Sequence, residues 1–172
     1  MNKTIFAAVL LAVVSLAVPA LAEDKPANPL GAPGCGDPAA TFKVQTDSGK
    51  HPASPEAGKA LVFFIQDDSQ FDLLGKPSTR FGLDGQWVGA THKNSYFYFS
   101  VDPGVHHLCA SWQSGERTAA AHFTANAGGV YYFEAKDVSN RGAEDLIFNP
   151  IDSDQGKLLV STYEFSTSQP KR

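Results

Sequence analysis

"NSYFYFSVDPGVHHLCASW", Asn94 to Trp112, is the stretch that decides the fold. Successive side chains on a strand point to opposite faces, so Phe97, Phe99 and Val101 share one side of its first half and Tyr96, Tyr98 and Ser100 the other. Asp102-Pro103-Gly104 then breaks the run, because proline pre-sets φ and glycine accepts a conformation that a side chain resists. Alternation resumes after the turn. Val105, His107, Cys109 and Ser111 fall on one face, and Leu108, Ala110 and Trp112 mark the other as the core face, with His106 at its end near the turn.

The same pattern extends in both directions. "KALVFFIQ" (residues 59–66) is apolar on both faces, which predicts a strand in the middle of a sheet. "TRFGLD" and "QWVGAT" flank Asp84-Gly85, a dipeptide suited to a tight hairpin. "TAAAHFTA" and "GVYYFEAK" are divided by Asn126-Ala127-Gly128-Gly129, and "EDLIFN" adds a further strand. "DSDQGKLLV" predicts a short C-terminal helix with Asp152 as N-cap and Gln155 three residues on. Short strands at this spacing predict an all-β fold, a single antiparallel β-sandwich, with an open barrel as the alternative. The sandwich is expected over residues 58–165, followed by a tail at 166–172. Residues 23–57, rich in proline and glycine, are expected to form an irregular arm whose one short strand is Thr41 to Thr46.

The first 22 residues have the form of a signal peptide: Lys3, an apolar run from Ile5 to Val18, and Ala20-Leu21-Ala22 as a small-x-small cleavage site. Cleavage near Ala22 would send the chain to the periplasm or beyond. No later segment approaches the roughly 20 apolar residues of a membrane-spanning helix. The formal net charge of −4, with no Lys/Arg cluster before the terminal "PKR", argues against nucleic acid as a partner.

"GKALVFF" (58–64), "LDGQWVGATHKNSYFYFSVDPGVHHLCA" (83–110) and "GGVYYFEA" (128–135) resemble the bacterial domain-of-unknown-function family numbered 2846, over about residues 57–160. The Asp-Gly and Pro-Gly-x-His layout is also similar to that of PEGA domains, small surface β-sandwiches. The resemblance implies an envelope-associated sandwich of transthyretin-like (prealbumin-like) form, and it offers no catalytic residues. Many members of the family look lipid-anchored, whereas Ala32-Pro33-Gly34 before Cys35 is not a lipobox.

Cys35 and Cys109 are the two cysteines of the chain. Export would place both in an oxidising compartment, which predicts a disulfide that pins the arm. The competing reading makes His107 and Cys109, two apart on one face, metal ligands that need further donors from His51, His92 or His122. The run "QDDSQFD" (66–72) lacks the ligand order of a calcium loop and reads as a solvated loop. Trp87, Tyr96 and Tyr98 form the candidate binding surface for a protein or a sugar ring, unless the second sheet or the arm covers them. No nucleophile elbow, metalloprotease helix, P-loop or dinucleotide glycine pattern occurs. The expected function is therefore that of a non-catalytic, exported binding module of the bacterial envelope, without cofactor, whose partner is an envelope protein or a glycan.

Overall fold

The computed structural model describes residues 35–70 and 75–171. The signal peptide, the first part of the arm and Asp72 lie outside the described residues. Ten strands and one helix follow in order: β1 (Phe42–Asp47), β2 (Ala60–Gln70), β3 (Ser78–Leu83), β4 (Gln86–His92), β5 (Ser95–Val101), β6 (Gly104–Trp112), β7 (Thr118–Ala125), β8 (Val130–Asn140), β9 (Ala143–Ile151), α1 (Ser153–Thr162) and β10 (Glu164–Pro170). They form a sandwich of a six-stranded sheet, β1-β10-β5-β2-β8-β9, and a four-stranded sheet, β4-β3-β6-β7. The opening stretch supplies one strand to each: β5 belongs to the larger sheet, β6 to the smaller, and Asp102-Pro103-Gly104 carries the chain between layers.

The all-β sandwich with a short C-terminal helix is as the pattern predicts, but the larger sheet is mixed rather than purely antiparallel. β2 pairs with β8 in parallel, and so does β10 with β5. Between β2 and β8 the chain builds the smaller sheet and also β5, the antiparallel neighbour of β2, so β8 reaches the other side of β2 by a crossover, the connection that a parallel pair needs. The expected boundary at residue 165 also falls inside a strand. β10 fills the gap between β1 and β5, so residues 166–170 are sheet and not tail. "EFSTSQP" misleads because only Phe165 in it is a large apolar residue, while its backbone satisfies two neighbours.

β2 explains why a strand can be apolar on both faces. Val62 and Phe64 point between the sheets, where they meet Phe81, Phe97, Leu108, Ala110, Trp112, Phe133 and Phe148. Leu61, Phe63 and Ile65 point outward into a second cluster with Tyr96 and Tyr132. That outer cluster is buried because α1 and residues near Ala53 pack over it and the Phe165 side chain of the same sheet flanks it. Phe99, by contrast, is 41% exposed although it shares a face with the buried Phe97 and Val101.

The arm is tied to the smaller sheet. Cys35 and Cys109 form a disulfide with a Cα–Cα distance of 5.6 Å. Cys109 is opposite Gly82 in the β3–β6 pair, and a Cβ on Gly82 would stand 2.9 Å from the Cys35 carbonyl oxygen. A glycine is what lets the arm lie this close. Arg80 donates to the Pro38 and Ala40 carbonyls, and its guanidinium lies over the Trp87 ring at 4.3 Å.

Candidate functional site

On the outer face of the larger sheet, two covering elements stop short of each other. Beyond β1 the chain doubles back, held by Asp47, whose carboxylate accepts from the Gly49 N–H at 2.8 Å and from the His51 ring at 2.9 Å. These two bonds hold the Asp47 carboxyl below its usual range, the Gly49 bond first. The His51 ring stacks on Phe165, with centroids 4.1 Å apart. From the other side comes α1, whose N-cap Asp152 accepts from the N–H groups of Asp154 and Gln155 at 2.9 and 3.0 Å. Gly156 seats the helix directly on the Tyr132 ring, where a Cβ would come within 2.2 Å.

Between these elements lies a cleft of about 490 Å³. Phe63, Tyr96 and Tyr132 form its floor, Val160 and Tyr163 one wall, and residues 48–53 the other. Burial raises the pKa of both the Tyr96 and the Tyr132 hydroxyl, so both stay neutral donors. Phe63 and Tyr132 stack face to face at 4.9 Å and 15°. Their facing π-surfaces are used on each other, so this pair lacks the open ring platform on which a sugar stacks.

The three aromatics singled out in the sequence are thus separated. Tyr96 is 2% exposed and belongs to the cleft floor, not to an open platform. Tyr98 is half-buried between Phe63 and Phe165. Trp87 lies on the smaller sheet, its indole N–H donating to the Asp37 carbonyl at 2.8 Å. Covering by α1 and the arm is the physical reason: the tyrosine face is wide and apolar, and the chain buries it against itself.

The metal reading of His107 and Cys109 fails because Cys109 is in the disulfide. Among the described residues no group of three or more His, Cys, Asp or Glu could hold a metal ion. His106 is turned away from His107 and has both ring nitrogens at 2.7 Å from acceptors, Nδ1 from the Asp84 carboxylate and Nε2 from the Asp102 carbonyl. Burial pulls its pKa down, but these two bonds outweigh burial and hold it above the usual value.

The acidic run is the feature that sequence reading missed. Gln66, Asp67 and Asp68 are not in a solvated loop but in β2, at 0, 3 and 0% exposure. On the inner face the Gln66 amide donates to Asp68 at 2.8 Å and to Asp137 at 2.9 Å, while the Trp112 indole donates to Asp137 at 2.6 Å. Burial, followed by the neighbouring Asp68, pushes the Asp137 carboxyl up to about 8, so it keeps its proton at neutral pH. On the outer face Asp67 accepts from the Tyr163 hydroxyl at 2.9 Å and pairs with Lys136 at 3.2 Å. The signal lay in the alternation, since Gln66 and Asp68 continue the inward series of Val62 and Phe64, and Asp137 continues that of Phe133 and Ala135.

The inner acids, Asp68 and Asp137, are fully buried. Ser78 Oγ lies 3.0 Å from His92 Nδ1, and among the described residues no carboxylate hydrogen-bonds that imidazole. Among the described residues no helix is long and apolar enough to cross a membrane. A family model described as "Protein of unknown function (DUF2846)" matches residues 56–147, from just before β2 into β9. No curated protein matches the chain.

Proposed function

Since the chain belongs to the DUF2846 family of proteins of unknown function, we propose its role from its own geometry: a non-catalytic binding module of the bacterial envelope that takes an apolar group into the cleft between α1 and residues 48–53. The cleft carries this reading. A concave site of about 490 Å³ with an aromatic floor and a polar rim that includes Lys50, His51, Lys157 and Glu164 fits the general form of a small-ligand site. A glycan-binding role has less support, because the stacked Phe63–Tyr132 pair offers ring edges more than ring faces. Export is part of the proposal, and the Cys35–Cys109 disulfide supports it, since such bonds persist in oxidising compartments.

The test uses the purified chain and an apolar fluorescent dye, N-phenyl-1-naphthylamine. Val160→Trp should fill the cleft from the helix side, and dye binding should fall at least about tenfold while the circular dichroism stays that of the parent. Equal dye binding by parent and variant would overturn the cleft reading. Mass spectrometry of the protein from its native host, with thiol alkylation, tests export: a chain beginning near Glu23 with no alkylated cysteine is expected.

A further inference from the structure

Three of the five histidines are already engaged: His51 with Asp47, His92 with Ser78, and His106 with Asp84 and Asp102. The remaining two, His107 and His122, are direct partners across the antiparallel β6–β7 pair. Both are exposed and lie on the outer face of the smaller sheet, the face turned away from Leu108 and Ala110. Neither imidazole has a hydrogen bond or ion pair with another described residue.

We propose that His107 and His122 form a two-ligand surface site for a borderline transition-metal dication, copper(II) or zinc(II), with water completing the shell. Residues directly opposite on an antiparallel pair have Cβ atoms about 4.5–5.5 Å apart, which lets two imidazoles converge on one ion at metal–nitrogen distances of about 2.0–2.1 Å. Imidazole nitrogen suits these metals. The next cross-strand pair on this face is Cys109 and Ala120, so the neighbour of His122 on this face of β7 is a small, exposed residue. The Asp84 carboxylate interacts electrostatically with His107 and adds a negative field beside the site. Its oxygens are committed to the His106 ring and the His107 N–H, so Asp84 attracts the ion without ligating it. The two imidazoles project from neighbouring strands of a rigid sheet, so the second closes the chelate at little cost in chain entropy.

The inference is independent of the cleft, which lies on the opposite outer face. Titration of the chain, carrying no polyhistidine tag, with copper(II) alone should show one ion bound per molecule by calorimetry, with nitrogen coordination in the electron paramagnetic resonance spectrum. His107→Ala and His122→Ala should each weaken binding by about 100-fold, because each removes the intramolecular second contact. His92→Ala should leave it unchanged, and all three variants should keep the parent's circular dichroism and dye binding. Absence of binding by the parent, or parent-like affinity in either the His107 or the His122 variant, would overturn the site.

Discussion

The two outer faces of the sandwich have opposite finishes. The larger sheet turns outward Leu61, Phe63, Ile65, Tyr96 and Tyr132, and α1 and residues near Ala53 cover them, with Phe165 at their side. The smaller sheet shows small or polar residues along β7, and His107 and His122 stand in solvent there. The difference follows from sequence. A strand apolar on both faces needs a third layer, while β7, alternating exposed and half-buried residues, needs none. An incomplete third layer leaves a cleft, and a sheet left uncovered along β7 leaves an array of side chains at fixed spacing. The first arrangement suits an apolar ligand and the second an ion.

The largest effect should come from untying the arm. Cys35→Ser opens a crosslink between residues 74 apart, which the chain-entropy account values at about 4 kcal/mol. Denaturant unfolding of parent and variant checks this. Because the tether sits on the smaller sheet and residues 48–53 cover the larger one, a variant that keeps its dye binding would show that the two faces are independently held. A change under 1 kcal/mol would mean that the contacts of Arg80 and Trp87 with the arm suffice without the bond.

A smaller loss is expected at the helix seat. Gly156→Ala gains about 1 kcal/mol of helix propensity, but its Cβ would stand 2.2 Å from the Tyr132 ring. Overpacking of this kind costs about 1–3 kcal/mol. The net expectation is a loss of about 1 kcal/mol together with a weakened cleft, read as thermal midpoint and dye affinity on one sample. A more stable variant with unchanged dye binding would remove Tyr132 from the cleft floor and leave the two faces more alike than described.

The layers were legible in the sequence where alternation was strict. β5, β6 and the Asp84-Gly85 hairpin follow from it directly, with φ of 49° and 82° at the two turn residues. What covers the tyrosine face was not legible, because period-two alternation says which residues share a face but not what packs on it. β10 escaped notice because backbone pairing holds it, with β5 at Glu164 and Phe165 and with β1 from Phe165 on, and hydrogen bonds leave no mark in polar side chains such as Ser166 to Gln169. The buried acids escaped for a related reason. Asp137 is tolerated by the proton that it keeps and by hydrogen bonds from Gln66 and Trp112, partners distant from it in sequence. The His107–His122 pair depends on the β6–β7 register, which local pattern leaves open by two residues in either direction.

The smallest effect belongs to the His106 corner, where polar contacts rather than a third layer finish the smaller sheet. His106 has a raised pKa in the folded chain, so its contribution is fully present below the unfolded value near 6.5 and is lost as pH rises through the folded value. Asp84 is partly exposed, which screens the pair, and about 1 kcal/mol or less is expected. Asp84→Asn is a conservative probe, because asparagine tolerates the positive φ of 49° at this turn and can still accept the His107 N–H. Thermal midpoints of the parent and of Asp84→Asn, measured from pH 5.5 to 8.5, should differ most at the acid end and converge at the alkaline end. Parallel curves would show that the imidazole is held by the Asp102 carbonyl alone. The smaller sheet would then owe this corner to the turn after β5, and the contrast between a layered face and a tethered one would lose its electrostatic part.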